Sequence, residues 1–167
     1  YRYVIERQLR PRARTNVVEQ LAAANIRPTA MIDVSDGVAS EVNHIARQSG
    51  VGATVRIAAL PFDAETRLVA DENMADVDTY ALFGGEDYEL LFTIDPSDLQ
   101  AIDDMEGLSV IGTIEEKDSG VNALSPDQGL IPLHPAGFDH FAPPEDGSIE
   151  DTDPGAGGDG YAPDADA

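Results

Sequence analysis

The sequence predicts an α+β fold: a layered mixed sheet of about four to six strands with helices packed on it, formed by residues 15–141. Three observations predict it. An apolar run, Ala30 to Val34, stops at the turn signal Ser35-Asp36-Gly37. Val38, Ala39, Val42, Ile45 and Ala46 then recur at helical spacing. Finally, Val51, Ala53, Val55 and Ile57 alternate with Gly52, Thr54 and Arg56 at the period of a half-buried strand.

Taken in order, residues 1–14 are rich in arginine, with Arg7, Arg10, Arg12 and Arg14 around Pro11. Pro11 interrupts any helix, so the segment reads as a connection over a surface. The alternative is that some of these arginines face phosphate or a neighbouring domain. Thr15 caps a helix running to about Ala24, with Val17, Val18 and Leu21 as its apolar face, and Pro28 ends that element. The strand Ala30 to Val34 follows, then the helix opened by Ser35 as N-cap and closed at Gly50. Leu60-Pro61-Phe62 breaks the strand that begins at Val51. Ala64 to Ala70 and Met74 to Tyr80 read as helices, with Asp71, Glu72, Asp76 and Asp78 on a solvated outer face. A double glycine, Gly84-Gly85, introduces Glu86, Asp87 and Glu89, and the apolar strand Leu90 to Ile94 follows. Pro96 to about Met105 reads as a short helix and Val110 to Ile114 as a strand. Val121 to Leu124 and Leu130 to Leu133 form a hairpin around Pro126-Asp127-Gln128-Gly129. Gly137-Phe138-Asp139-His140-Phe141 closes the folded part. Residues 142–167 carry eight acids, no Lys or Arg, and nine Gly or Pro, which predicts a disordered acidic tail.

Two stretches carry chemistry. Asp33 and Asp36 are three apart across a strand-to-helix turn, so both carboxylates can converge on one hard cation, while a helix N-terminus offers N–H groups to an anion. Asp or Ser beside a helix start is also ordinary capping, and that accounts for Ser35. It does not account for Asp33, because a carboxylate inside an apolar strand costs several kcal/mol unless it is paired, hydrogen-bonded or bound to metal. In the second stretch, Glu86, Asp87 and Glu89 repel one another. Such crowding is tolerated on a wet loop, and beside a glycine turn it also suits a cation or a cationic substrate.

Composition narrows the partners. The 167 residues have a formal net charge of −22 and no cysteine, so disulfides and thiolate metal sites are excluded. Residues 1–56 hold eight Arg against five acids, while residues 57–167 hold two basic residues against 27 acids. Such a surface repels nucleic acid and anionic membranes, and neither is expected as a partner. With no run approaching a membrane span and no signal peptide, a cytoplasmic location is expected. One Lys among ten basic residues, with this acid excess, is the pattern of a protein kept soluble in high salt. Stability is then expected to rise with KCl concentration in urea unfolding, and insensitivity to salt would count against that reading.

Asp33-Val34-Ser35-Asp36-Gly37, Leu60-Pro61, Gly84-Gly85-Glu86-Asp87-Tyr88-Glu89-Leu90 and Gly137-Phe138-Asp139-His140-Phe141, in that order and spacing, resemble the C-terminal part of thiamine-monophosphate kinases. The resemblance covers about residues 3–141. Aminoimidazole ribonucleotide synthetases, selenophosphate synthetases and the HypE group share the general architecture. The resemblance implies the layered C-terminal domain fold of the aminoimidazole ribonucleotide synthetase group. It further implies transfer of the γ-phosphoryl of ATP to thiamine monophosphate, giving thiamine diphosphate with several Mg²⁺ ions. Asp33 and Asp36 then correspond to magnesium ligands, Ser35 to an ATP contact, and Glu86 and Phe138 to substrate contacts. The family's aromatic at the position of Phe138 is often Tyr, so a hydroxyl is lost here. Asp87 and Glu89 receive no individual role, and no residue is assigned as acid or base. Residues 1–14 become the exit from an N-terminal domain that has no counterpart in these 167 residues. In the family that domain supplies most magnesium aspartates, much of the ATP site and the dimer core, so the chain is expected to be inactive alone. The rival readings are a non-catalytic acidic module for cation binding or interaction, and another ATP-using enzyme of the same superfamily.

Overall fold

The computed structural model describes residues 1–127 and 129–135. Phe138, with the rest of Gly137–Phe141, and the tail 142–167 lie outside the described residues, so those readings rest on sequence.

Chain order is α1 (Arg2–Leu9), α2 (Thr15–Ala23), β1 (Ala30–Asp33), α3 (Val38–Ser49), β2 (Gly52–Arg56), α4 (Ala64–Glu72), α5 (Val77–Phe83), β3 (Leu90–Thr93), α6 (Leu99–Asp103), β4 (Gly112–Glu115), β5 (Val121–Leu124) and β6 (Leu130–Pro132). The α+β class is as expected, but the strands form two sheets rather than one. β1 and β3 pair antiparallel, and the other four run in the order β4-β2-β5-β6. β2 pairs antiparallel with β4 and parallel with β5, so the larger sheet is mixed; β5 and β6 form the expected hairpin.

Two hydrophobic clusters form the core among the described residues. Ala39 and Val42 of α3 meet Ala53 and Val55 of β2, Leu82 of α5 and Ala123 of β5 in one cluster. Val17 and Leu21 of α2, Ile26 and Ile102 of α6 form the second. β3 belongs to both: Leu91 packs on the first, while Leu90 and Phe92 pack on the second. Alternate strand residues point to opposite faces, so the continuous run Leu90-Leu91-Phe92 is that of a strand covered on both sides.

Several local expectations change, among them the helix expected from Met74, which starts at Val77 and runs to Phe83. Residues 2–9 form a helix where a connection was expected; Pro11 stops it rather than preventing it, and only residues 10–14 connect. α1 buries none of its residues and is held by polar contacts, among them Tyr3 N–H to Glu65 Oε2 at 2.8 Å. Thr15 is the first residue of α2 rather than its cap, Arg14 stands at the cap position without a side-chain capping bond, and Val18 faces solvent. Asp76 is not simply a solvated acid, because it caps α5 by accepting from Asp78 N–H.

Candidate functional site

β1 ends at Asp33 and β3 begins at Leu90, its register partner, so the two acidic stretches leave the small sheet side by side. Backbone bonds continue the pairing past the strands. Val34 N–H donates to Glu89 O and Tyr88 N–H to Val34 O, each at 2.8 Å, and Glu86 N–H donates to Ser35 O at 2.7 Å. A Cβ at Gly85 would lie 2.8 Å from Ser35 O, so a residue with a side chain could not approach this way. The fold therefore pairs the backbone of the loop carrying Asp33, Ser35 and Asp36 with that of the loop carrying Glu86, fifty residues later in the chain.

Asp33 stands at the strand end, as expected, but it is exposed, so the cost argued for a carboxylate inside an apolar strand does not arise. It shares a face of β1 with exposed Met31, while Ala30 and Ile32 turn inward, and it is the last residue of the strand. Desolvation therefore gives no reason for its presence. Asp36 and Glu86 are exposed as well. An apolar cavity of about 390 Å³, lined by Ile57, Leu82, Phe83, Ile131 and their neighbours, includes none of these acids. Among the described residues no three His, Asp or Glu converge as a metal site. Two exposed carboxylates nevertheless fit magnesium in kind, since that ion is commonly held by one or two carboxylates together with substrate phosphates.

Ser35 is not the cap of α3. Gly37 holds that position with φ 93° and ψ 156° and no side-chain bond, and Gly50 closes the helix as expected. The Ser35 hydroxyl instead donates to Glu41 Oε1 at 3.2 Å, and the same oxygen accepts Ser35 N–H at 3.3 Å and Asp36 N–H at 3.1 Å. Glu41 is 2% exposed. No motif flags it, but a signal existed: Glu41 falls between Val38 and Ile45 on the apolar face of its helix, three and four residues from each, where an acid needs partners.

The acidic loop is gripped from the N-terminal segment. Arg7 donates to Asp87 O at 2.8 Å and to Glu89 Oε1, and Arg14 binds Glu89 through Nε at 2.7 Å and through its terminal nitrogen. Two of the arginines thus serve this loop, which the surface-connection reading did not foresee. Burial pushes the Asp87 carboxyl above its ordinary value; the Arg7 charge opposes that and Glu89 adds to it. Glu86 and Tyr88 hold positive φ, 65° and 51°, in a loop where non-glycine residues rarely do so.

The α+β layer that carries these two acidic loops is a fold shared with known proteins. The chain belongs to the family of the AIR synthase related protein, C-terminal domain, which it matches over residues 5–123. Within reach of that family, it is 38% identical over 148 residues to the thiamine-monophosphate kinase of Salmonella typhimurium, covering 85% of this chain and 43% of the relative. The chain thus spans less than half the length of that curated relative. Among solved structures, AaThiL complexed with AMPPCP and TMP aligns with TM-score 0.69 and 33% identity, over 83% of this chain and 41% of that one. Escherichia coli HypE aligns with TM-score 0.60 at 18% identity, over 83% of this chain and 46% of that one, and shares the fold.

Proposed function

We propose that these 167 residues are the C-terminal portion of an ATP-dependent kinase that phosphorylates thiamine monophosphate to thiamine diphosphate, with residues 1–14 leading out of an upstream domain and 15–141 forming the kinase's C-terminal domain. The observation that carries the reading is the Glu86 N–H to Ser35 O bond, which seats the candidate substrate acid against the candidate nucleotide and metal loop. The likeness to AaThiL complexed with AMPPCP and TMP supports it.

In this reading Asp33 and Asp36 hold Mg²⁺, Ser35 contacts ATP, and Glu86 and Phe138 bind thiamine monophosphate. Bound magnesium would neutralise charge on the phosphates. The acceptor is a phosphate oxygen that is already anionic near neutral pH, so no side chain has to remove a proton from it. The chain's own work is positioning, consistent with the absence of an assigned acid or base. The thiazolium ring is cationic and flat, which suits the carboxylate of Glu86 and the ring face of Phe138. A cytoplasmic location and a homodimer formed through the upstream domain complete the proposal. Among the described residues no helix is long and apolar enough to cross a membrane.

Calorimetry with thiamine monophosphate and Mg-AMPPCP tests the binding roles, preferably with the upstream region restored. Asp33→Ala is expected to weaken nucleotide binding and Glu86→Ala thiamine phosphate binding, each about tenfold or more. Metal uptake indifferent to both changes would favour the acidic cation-binding module instead. The chain alone, lacking the upstream acids, is expected to make no thiamine diphosphate from ATP; detectable product from the purified 167 residues would refute that expectation.

A further inference from the structure

Among the described residues Glu41 is a buried acid without a cation. Among the described residues the ion pairs are Arg2–Glu6, Arg7–Glu89 and Arg14–Glu89, and none includes Glu41. Its compensation comes from three donors on one oxygen: Ser35 N–H, Ser35 Oγ–H and Asp36 N–H. A buried acid that served only its helix would bond at the helix start. Glu41 reaches past the cap residue Gly37 into the preceding loop.

We propose that Glu41 is a positioning residue that fixes the loop between β1 and α3 for ligand binding. It draws the N–H groups of Ser35 and Asp36 inward, which leaves the exposed carboxylates of Asp33 and Asp36 on the outer side. It also takes the single proton of the Ser35 hydroxyl. Ser35 therefore presents only lone pairs outward, so it can accept from a ribose hydroxyl or an amine, or ligate a cation, but cannot donate to a phosphate oxygen. The ligand assignment rests on the kinase reading; the internal bonds do not.

The test uses the ¹⁵N-labelled 167-residue chain, with Mn²⁺ as the probe and Glu41→Gln and Glu41→Asp as variants. Gln keeps the shape and loses the charge, while Asp keeps the charge and shortens the reach. In both, the Ser35 and Asp36 amide protons are expected to exchange about tenfold faster while the β2, β4 and β5 amides keep their protection. The Mn²⁺ concentration that half-broadens the resonances of residues 33–37 is expected to rise about threefold or more. Unchanged exchange and unchanged Mn²⁺ response in a folded variant would overturn the proposal. So would an even loss of protection throughout the chain, or failure of both variants to fold, since either makes Glu41 a packing residue. If Gln alone fails to fold, Asp decides. None of these readouts needs ATP or thiamine monophosphate, so failure of those ligands to bind would sink the kinase reading and leave the Glu41 result standing.

Discussion

Gly37→Ala is expected to destabilise the fold by about 3 kcal/mol or more and to lower the melting temperature by about 10 °C. Two independent costs add. At φ 93° and ψ 156° the residue sits in a region that is almost closed to side chains, so Ala is strained there whatever space surrounds it. There is also no space: a Cβ would lie 2.5 Å from Leu82 O and 2.9 Å from the Cα of Phe83, both backbone atoms of α5. Backbone cannot swing aside as a side-chain tip can, so α3 and α5 would have to separate, opening the core around Ala39 and Leu82. Urea unfolding measures the loss. A difference below 1 kcal/mol would mean that the turn has another conformation.

Glu89→Ala comes second, with an expected loss of about 1–2 kcal/mol and a several-fold loss of thiamine monophosphate affinity in an enzyme with its upstream region restored. Glu89 has a 41% exposed side chain, so solvent screens its pairs with Arg7 and Arg14 and keeps the stability term modest. The larger consequence is local. Without the carboxylate two guanidinium groups face each other, α1 loses a main attachment, and Glu86 and Tyr88 no longer have a fixed frame for their positive φ angles. A double-mutant cycle between Glu89→Ala and Arg14→Ala checks the cause. A coupling energy near zero would show that the pair contributes nothing and that any loss arises elsewhere.

The class of fold and the two acidic loops were legible because they are written in local pattern. Alternation at Val51–Ile57 and helical spacing at Val38–Ala46 depend on one face meeting a core; the observed β2 lies within one residue of its span at each end, and α3 starts at Val38 and runs three residues past Ala46. The division into two sheets was not legible, since strand pairing is a relation between distant segments that no window contains. The exposure of Asp33 was not legible for a related reason: its place at the end of the strand follows from the turn signal after it, but an apolar run does not say that water reaches that end. The helix at residues 2–9 was not legible because Pro11 restricts only itself and the residue before it, so it marks the end of a helix without excluding one upstream. Arg7 and Arg14 became meaningful only once Glu89, some eighty residues later, was beside them.

β3, with apolar contacts on both faces, also acts as a ruler for the site. Sliding it by one residue against β1 would shift the two acidic loops by about 3.4 Å relative to each other. The same slip would turn Phe92 and Leu91 each toward the wrong cluster. The alignment of Asp33 with Leu90 is therefore guarded by two hydrophobic clusters at once, so the spacing of exposed carboxylates is set by apolar residues that no ligand would touch.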